Sequence, residues 1–448
     1  MVTVNLIAQT DTPPNILASH AANTCYAKDA PVLGKTIDIE NKLFKPGHHT
    51  PFQHNYFTFA LDKLPVSSVK FGLHLAGPYY NSCEQSGRYS KMYDSPDFGE
   101  IQEHVAQFYY GENIGAAMEF IKGGQRIYAD NIAAITELAK QAIADERPYA
   151  TDDYIKLNGP KMAQEQLRMF VSMMSFARMD YTVNLSAIAA MYRTAWLPEL
   201  KDIMGKMADR VMEKHPETGF MFDVDKEKLE QSRRPWHPGY LADNRIKTIP
   251  SIFLRDSPLV DYKPGPSCGD TVDLGYFSPY TMDNSVQAVA TTVVVSGATF
   301  GQDQRHRAIK RGQPSFSGAF YLPPLLDKAQ KSGVASMSEL AESFMKSWRE
   351  LPVSGQLRSG IAPYGAMITY TKLSDLNGLH HEMGKRLCLC AQEEIWNVSK
   401  SLGLATHLPH GLAERFTPAC FQNGACVEGA RYCGRDKSIG LSETKRTV

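Results

Sequence analysis

Residues 302–307 have the sequence Gln-Asp-Gln-Arg-His-Arg, and residues 84–89 have the sequence Glu-Gln-Ser-Gly-Arg-Tyr. The guanidinium group of arginine offers five N–H donors in a planar fork that matches a phosphate group. The basic end of the first stretch, with Lys310 and Arg311 after it, therefore suits a ligand that carries a pyrophosphate. Gly87 in the second stretch allows either a close approach of a ligand to the backbone or a simple turn. Taken alone, the first stretch fits a basic turn on a solvated surface better than a binding site.

Strand patterns precede helix patterns in both halves of the chain. Runs of aromatic and β-branched residues with partial alternation predict strands at 55–61, 66–75 and 288–296. Apolar residues at helical spacing predict helices, and a proline is tolerated in a first helical turn. These helices are expected at 131–145, from Pro160, at 184–212 with an interruption at Pro198, at 336–351 and at 376–402. The repeated order predicts an α/β (α+β) protein built from two similar domains.

Composition narrows the class of protein. The chain has 448 residues, enough for two or three domains, and its 48 basic and 48 acidic side chains balance. Nothing global therefore indicates nucleic acid or a membrane surface, and we expect no partner of either kind. No apolar stretch approaches about 18 residues, the first residues lack a signal-peptide pattern, and eight cysteines do not make a disulfide scaffold in a chain of this length. We expect a cytoplasmic protein with reduced thiols.

The first half contains segments that resemble the flavin-dependent thymidylate synthase family. In that family a helix ends in Cys/Ser-Tyr, Gly-His-x-Ser/Thr-Pro-Phe-Glu-His precedes a Phe-x-Phe strand, and a central signature ends in Asn-Glu-x-Ser-x-Arg. The corresponding segments are 14–26, Gly47-His48-His49-Thr50-Pro51-Phe52-Gln53-His54 with Phe57-Thr58-Phe59, and Asn81 with 84–89. Arg168, followed by Thr182-Val183-Asn184, matches a later family segment in spacing. Arg193 lies near the place of a further family arginine, two residues early.

The second half resembles the same family between Gln287 and Leu402. Gln302-x-x-Arg305-His306-Arg307 matches the Gln-x-x-Arg-His-Arg motif of the family. Further matches are Arg358 with Pro363, then Asp375, Asn377, His381 and Arg386, and finally Ala391-Gln392-Glu393-Glu394-Ile395, which fits Ala-Gln-x-Glu-Ile. Together the two resemblances span roughly three quarters of the chain.

Each half lacks what the other keeps. The first has Ala76-Gly77-Pro78 where the family has Arg-His-Arg, and the second has Gln313, Ser315 and Ser317 where the family has Glu, Ser and Arg. These departures predict a fused tandem of two degenerate copies. Its parts are a first copy at 1–215, a linker at 216–264, a second copy at 265–410 and a cysteine-containing tail at 411–448. Because the family forms homotetramers with sites between subunits, the resemblance implies that the copies pack as a pseudo-dimer and that the protein is a homodimer acting as a pseudo-tetramer.

The resemblance also implies a reaction and residue roles. The reaction is the reductive methylation of dUMP to dTMP, with FAD as cofactor and methylenetetrahydrofolate and NADPH as co-substrates, and it needs no enzyme nucleophile because flavin supplies the redox chemistry. Arg386 is the predicted catalytic residue, stabilising negative charge on the uracil ring. The predicted substrate-binding residues are Gln302, Glu84, Ser86, Gly87, Arg88, Arg168 and Arg193. The predicted cofactor-binding residues are Arg305, His306, Arg307, His48, Thr50, Asn377 and His381.

Two other functions stay open on the sequence. The half-motifs leave the base-recognition side of the site unassigned, so the reaction could be a flavin-dependent alkylation of another pyrimidine nucleotide. The other alternative is a catalytically dead homologue that still binds flavin or nucleotide and acts as a partner or regulator.

Cysteines near the C-terminal end do not predict a metal site. Cys420, Cys426 and Cys433 lack the short Cys-x₂₋₄-Cys spacing of structural zinc, and Cys388 and Cys390 lie far upstream. We expect ordinary buried or free thiols at these five positions.

Overall fold

The computed structural model describes residues 1–75, 79–239, 248–249, 254–255, 288–329, 336–405, 413–422, 424, 426, 428–429 and 432–448. The segment 76–78 and the linker residues 240–247, 250–253 and 256–264 fall outside the described residues. Helices and sheets are mixed along the chain, which confirms the predicted α/β (α+β) class. Within the described part, no helix combines the length and the apolar character needed to cross a membrane.

The strands and helices are as follows. The strands are β1 (Thr3–Gln9), β2 (Tyr56–Pro65), β3 (Tyr80–Glu84), β4 (Phe176–Asn184), β5 (Thr248–Ile249), β6 (Leu254–Arg255), β7 (Ala288–Ser296), β8 (Lys310–Arg311), β9 (Ser315–Tyr321) and β10 (Ala366–Asp375). The helices are α1 (Pro14–Tyr26), α2 (Val66–Lys70), α3 (Phe98–Phe108), α4 (Ile114–Glu146), α5 (Asp152–Leu167), α6 (Leu185–Thr194), α7 (Pro198–Lys214), α8 (Lys226–Ser232), α9 (Gly297–Asp303), α10 (Pro324–Ala329), α11 (Met337–Arg349), α12 (Gly355–Gly360), α13 (Leu376–Arg386), α14 (Glu393–Ala405) and α15 (Ala419–Gln422).

The chain forms two compact units, each drawn from separate stretches. Unit 1 consists of Met1–Ser86, Ser95–Ile114 and Met174–His237, and unit 2 of Gly87–Asp94, Gly115–Met173 and Pro238–Val448. The units do not follow the boundaries predicted for the two copies, because the segment 115–173 packs with the second half of the chain. Aromatic contacts explain this: the ring of Phe120 stacks on Phe344 at 4.5 Å, and Phe170 packs against Phe320 at 5.2 Å. The sequence relationship between the copies stays a prediction.

Unit 1 is built on an antiparallel sheet with the strand order β1-β2-β4-β3. Phe57, Phe59 and Leu61 alternate along β2 and are buried, so one face of the sheet carries the core. At the end of β4, the Asn184 side chain accepts a hydrogen bond from the Ala187 N–H at 2.8 Å and caps α6.

Unit 2 contains a second sheet, with the order β5-β9-β10-β7-β6 and with β8 also paired to β10. The central strands β7 and β10 are antiparallel along their whole length. Each leads into a helix through a side-chain cap: Ser296 accepts from the Thr299 N–H at 3.1 Å before α9, and Asp375 accepts from the Gly378 N–H at 2.6 Å before α13. The residues that follow α9 and end α13 form the site described below.

The two sheets share a strand order. In unit 1 the middle strand β4 lies between β2 and β3, and in unit 2 the middle strand β10 lies between β7 and β9. In each unit the central strand of these three is the one that comes last in the sequence. A helix follows it directly, α6 after β4 and α13 after β10. This common order supports the tandem interpretation, which remains a prediction.

The predicted strand at 66–75 is wrong. β2 ends at Pro65, and the chain continues as α2 and a 3-10 turn at Leu73–Leu75. Every residue of α2 is buried. A segment buried on all sides shows neither alternation nor helical periodicity, so the valines in it gave a misleading strand signal.

Two helix starts also differ from the sequence predictions. Pro160 lies inside α5, which begins at Asp152 after a cap in which the Thr151 hydroxyl accepts from the Tyr154 N–H at 3.2 Å. α4 begins at Ile114 rather than near 131. Its first half contains Gly124, a poor helix former that is needed because a Cβ atom there would collide with the carbonyl of Phe170.

The beginning of the predicted linker is helical. Pro216–Met221 forms a 3-10 turn and α8 follows it within unit 1. The Asp225 carboxylate caps α8 by accepting from the N–H groups of Glu227 and Lys228 at 3.0 and 3.1 Å, and Leu229 is buried. The charged run that indicated a linker is therefore the exposed side of a short amphipathic helix.

Candidate functional site

A cavity of about 970 Å³ lies within unit 2, and we call it the unit-2 cavity. Its walls are contributed by five parts of the chain: Arg88 and Tyr89, one face of α5, the turn after α9, the end of α13 with the turn that follows it, and a C-terminal group made of Pro418, Ala419, Cys420, Cys426 and Glu428. Its volume is typical of a site for a small molecule or cofactor.

Arg88 belongs to the first-half motif and reaches residues from the second half. Its Nη2 donates to the carbonyl of Cys390 at 2.9 Å, a residue 302 positions later in the chain. Its Nε forms an ion pair with the Glu165 carboxylate on α5, and its guanidinium lies 5.0 Å from the centre of the Tyr89 ring. Arg88 is thus held in place at the wall of the unit-2 cavity, with its charge balanced by Glu165.

Gly87 is required by its surroundings. A Cβ atom at this position would collide with the Tyr93 hydroxyl and lie 3.1 Å from Nη1 of Arg168. The glycine therefore lets the backbone pass between two large side chains immediately before Arg88.

The second-half motif forms the turn after α9. Arg305 is exposed, His306 is buried and Arg307 is half-buried. Arg305 and His306 line the unit-2 cavity together with Arg88, whereas Arg307 is not among its lining residues. The structure thus brings parts of the two separated motifs into one cavity.

A buried network of charges anchors this turn. The Asp303 carboxylate accepts from Arg311 at 2.8 Å, from Lys372 at 3.0 Å and from the Tyr370 hydroxyl at 2.7 Å. Lys372 also donates to both oxygens of Glu382 at 2.8 Å. Burial opposes ionisation of Asp303, but the charges of Arg311 and Lys372 more than offset it and hold the pKa of Asp303 well below its usual range.

The same arginine also fixes the backbone of the turn. Nη1 of Arg311 donates to the carbonyls of His306 and Ile309 at 3.1 and 2.8 Å, and its Nη2 donates to the carbonyl of Asp303. Sequence reasoning missed this network. Asp303 occupies a variable position of Gln-x-x-Arg-His-Arg, and its partners lie on other elements.

His306 and Arg386 form a directly bonded pair. Nε of Arg386 donates to Nε2 of His306 at 2.7 Å, and its Nη2 donates to the carbonyl of Gln302 at 2.8 Å. Because Arg386 can only donate, Nε2 of His306 is the acceptor and its proton resides on Nδ1. Burial and the charge of Arg386 hold the pKa of His306 well below its usual value, so the ring is neutral at neutral pH.

Three further features complete this part of the cavity. Burial and the charge of Arg305 lower the pKa of Arg386 to about 10, which leaves it cationic at neutral pH. The ring of His381, which also lines the cavity, meets the ring of His306 edge to face at 5.3 Å. Nδ1 of His306 has no hydrogen-bond partner among the described residues.

Arg168 lies behind the cavity wall. Its Nη2 donates to the Gln392 side-chain oxygen at 2.7 Å, and the Gln302 amide donates to the same oxygen. The guanidinium of Arg168 lies 5.5 Å from the centre of the Tyr364 ring. Arg168 and Gln302 are buried and are not among the lining residues, so in this structure they support the wall from inside.

The remaining predicted residues lie elsewhere. Asn377 is buried in the first turn of α13. His48, Thr50, Glu84, Ser86 and Arg193 belong to unit 1. His48 and Thr50 are exposed, and Arg193 at the end of α6 donates to the carbonyl of Met221 at 3.0 Å. The roles predicted for these residues stay predictions.

The cavity lining is predominantly basic and includes residues that the motifs did not indicate. Its charged members are Arg88, Lys161, Arg305, Lys385 and Arg386 against Asp153, Glu165 and Glu428. Lys161 and Glu165 lie one turn apart on α5, and that helical spacing is the only sequence signal that could have placed them together.

Comparison with known proteins bears on the first half of the chain. Residues 5–217 match the family described as thymidylate synthase complementing protein. A flavin-dependent thymidylate synthase from Streptomyces avermitilis is 24% identical over 191 residues, which cover 42% of this chain and 72% of that protein.

Residues 5–217, which we call the flavin-dependent thymidylate synthase region, are similar to that family.

The flavin-dependent thymidylate synthase region includes Arg88 and Arg168 but ends well before the Arg305 turn. Two solved structures are also similar to this chain. Thymidylate synthase X from Helicobacter pylori, determined with FAD and dUMP, is 14% identical, covers 51% of this chain and 100% of its own, and has a TM-score of 0.34. The UMP/dUMP methylase PolB from Streptomyces cacaoi, bound with 5-Br dUMP, is 15% identical. That match covers 50% of this chain and 94% of the PolB chain, with a TM-score of 0.34.

Proposed function

We propose that this protein is a flavin-dependent thymidylate synthase that methylates dUMP to dTMP, with FAD as cofactor and methylenetetrahydrofolate and NADPH as co-substrates. One observation carries the proposal: Arg88, from the flavin-dependent thymidylate synthase region, lines the same cavity as Arg305, His306, His381 and Arg386. Two fused copies that had each lost part of a site would be expected to combine their remaining parts in this way. The quaternary form we propose is a homodimer.

The donor set of the cavity fits FAD. The diphosphate and the carbonyl groups of FAD are hydrogen-bond acceptors, and the lining offers guanidinium and ammonium donors in excess over carboxylates. The Nδ1–H of His306, buried and without a partner among the described residues, is a further donor. We assign Arg305, His306 and His381 to cofactor binding, with FAD supplying the redox chemistry when bound.

The side chains of the cavity would act by position and charge. Arg88 would bind the nucleotide phosphate, and Arg386 would stabilise negative charge on the pyrimidine ring. The neutral ring of His306 keeps Arg386 in place without adding a competing charge. Gln302 and Arg168 would orient these residues from behind the wall.

A second candidate is a catalytically inactive protein that binds flavin or nucleotide. The ion pair between Arg88 and Glu165 favours it, because the carboxylate occupies part of the guanidinium fork that a nucleotide phosphate would need. Measurement of dTMP formation, with UMP offered beside dUMP, separates the two candidates and also tests for another pyrimidine substrate.

Flavin binding tests the assignment of the Arg305 turn. We expect Arg305→Ala/Arg307→Ala to lose most of its flavin on purification, since each charge-assisted hydrogen bond contributes about 1.5–3 kcal/mol, more than tenfold in affinity. Flavin absorbance per folded protein is the measurement. Lys346→Ala, an exposed charge removal on α11, is the control and should keep its flavin. Full flavin retention in the double variant would overturn the assignment, and the two single variants show whether Arg307 contributes.

Nucleotide binding tests the role of Arg88. Arg88→Ala should weaken dUMP binding by about tenfold or more while flavin content stays near that of the parent. Glu165→Gln should strengthen dUMP binding, because it releases the guanidinium from its competing carboxylate. Calorimetry on the flavin-loaded protein measures both, with the exposed Arg126→Ala as control. Loss of flavin with normal dUMP affinity in Arg88→Ala would contradict the role.

A further inference from the structure

Three cysteines from distant parts of the chain meet in unit 2. The side chain of Cys390 packs against the buried cluster that contains Cys433. The backbone N–H of Cys390 also lies 3.5 Å from Sγ of Cys388. Cys433 is buried against Leu389 and Trp396. The fold, rather than a sequence motif, creates this group, which we call the thiol cluster.

The thiol cluster is reachable from the unit-2 cavity. Cys388 and Cys390 line the cavity, as do Cys420 and Cys426, whereas Cys433 lies behind them. A small solute that enters the cavity can therefore contact two of the three sulfurs directly, and the third can reach Cys390 from inside.

Buried arginines surround the turn that carries the cluster. Arg446 and Arg147 both donate to the carbonyl of Leu389, at 3.0 and 3.4 Å. Both side chains are buried, so their charges act on the sulfurs through little solvent. Positive charge beside a thiol favours its thiolate, which is the reactive form.

The three thiols differ in their protonation. The hydrogen bond from Cys390 lowers the pKa of Cys388 to about 6, with help from the backbone N–H of Cys390. The hydrogen bond from Cys390 likewise lowers the pKa of Cys433 to about 6, with help from the backbone N–H of Arg435 and the charge of Arg147. Hydrogen bonding with Cys388 and Cys433, together with burial, raises the pKa of Cys390 itself. The shifts thus favour the thiolate forms of Cys388 and Cys433 and the protonated form of Cys390.

Redox chemistry fits this arrangement better than metal binding. Within the described part of the chain, no group of three Cys, His, Asp or Glu side chains is arranged to hold a metal ion. A sulfur–sulfur bond is about 2.05 Å long, and cysteines that already pack in one cluster can reach that distance through side-chain movement.

We propose that Cys388, Cys390 and Cys433 form a redox-active thiol site whose oxidant is a peroxide that enters the unit-2 cavity. The sulfur of Cys388 attacks one peroxide oxygen, the O–O bond breaks, and after proton uptake the products are a sulfenic acid and water. The sulfur of Cys390 then attacks the sulfenic sulfur and forms a disulfide. The departing hydroxide takes the proton of Cys390 and leaves as a second water. Two thiols and one hydrogen peroxide thus give one disulfide and two waters.

Cys433 extends this sequence by exchange. Its thiolate can attack the Cys390 sulfur of the first disulfide and release the Cys388 thiolate, which conserves electrons and leaves a Cys390–Cys433 bond. That bond would fasten the C-terminal segment beside the cavity. The proposal does not depend on the enzymatic function, because it concerns only thiols and peroxide.

Peroxide treatment of the full-length protein tests the proposal. At pH 7 we expect Cys388 to be oxidised at least about threefold faster than the exposed Cys83 of unit 1, because the backbone N–H of Cys390 stabilises its thiolate. Peptide mapping of the unaltered protein should recover Cys390 linked to Cys388 or Cys433, with two thiols lost for each peroxide consumed. Flavin content is recorded in parallel, so that failure of the thiol chemistry and failure of flavin binding are distinguished.

Variants separate the steps. In Cys390→Ser, oxidation should stop at a sulfenic acid on Cys388, which dimedone traps. Cys433→Ser should form only the Cys388–Cys390 disulfide. Cys83→Ser is the control and should behave like the parent protein. Oxidation of the cluster no faster than that of Cys83, or disulfides that map elsewhere, would overturn the proposal. So would a purified protein in which bound zinc protects these cysteines from alkylation until it is chelated. The measurements on unaltered protein decide the question if a variant fails to fold.

Discussion

Replacement of Asp303 by Asn is expected to lower the free energy of unfolding by about 3–5 kcal/mol, the usual cost of breaking a buried ion pair from one side. Asp303 and Glu382 balance Arg311 and Lys372 in a network whose side chains are at most 8% exposed. The substitution keeps the size of the side chain but leaves an uncompensated positive charge in the interior. Urea unfolding followed by circular dichroism measures the effect.

Two comparisons make this test specific. Asp327→Asn changes an exposed aspartate on α10 and should shift the unfolding free energy by less than about 0.5 kcal/mol. The double variant Asp303→Asn/Arg311→Gln removes one charge of each sign and should recover part of the loss. A cost below about 1 kcal/mol for Asp303→Asn would show that the network does not anchor the turn as described.

Replacement of Arg386 by Gln is expected to reduce the turnover of dUMP by about 10²–10³-fold, the range typical of losing one donor that stabilises developing charge. This prediction rests on the proposed function. The defect should appear in kcat more than in KM, and flavin should stay bound, because Arg305 and His306 remain. Release of tritium or formation of dTMP under single-turnover conditions measures the chemical step.

The matched control for Arg386 is Arg126→Gln, an exposed substitution on α4 that should leave turnover unchanged. Equal losses of kcat and of flavin in Arg386→Gln would instead identify Arg386 as a cofactor-binding residue. Normal turnover would remove it from the mechanism.

Local patterns in the sequence predicted several strands and helices correctly. The β-branched run at 288–296 is β7, the helix predicted at 336–351 is α11, and the interruption at Pro198 is the start of α7. These elements have one buried face or a strong local signal. By contrast, α2 is buried on all sides and showed no usable period, so it was assigned to the wrong class.

The candidate site was only partly predictable for a different reason. Motifs indicated Arg88, Arg305, His306 and Arg386, which the structure brings to one cavity. Glu165, which pairs with Arg88 across 77 positions of the chain, belongs to no motif. The thiol cluster and the partners of Asp303 likewise depend on long-range packing. No spacing within one segment encodes such contacts.

The discontinuous make-up of unit 2 affects how the chain acquires its structure during synthesis. The segment 115–173 leaves the ribosome before its packing partners, such as the Phe344 ring that covers Phe120, have been made. At about 5–20 residues per second, translation of the rest of the chain takes on the order of 10–60 s. During that interval the apolar faces of α4 and α5 lack the partners that later cover them. Unit 2 is therefore expected to assemble late, and its apolar surface is expected to stay exposed for longer during synthesis than that of a domain built from one continuous stretch.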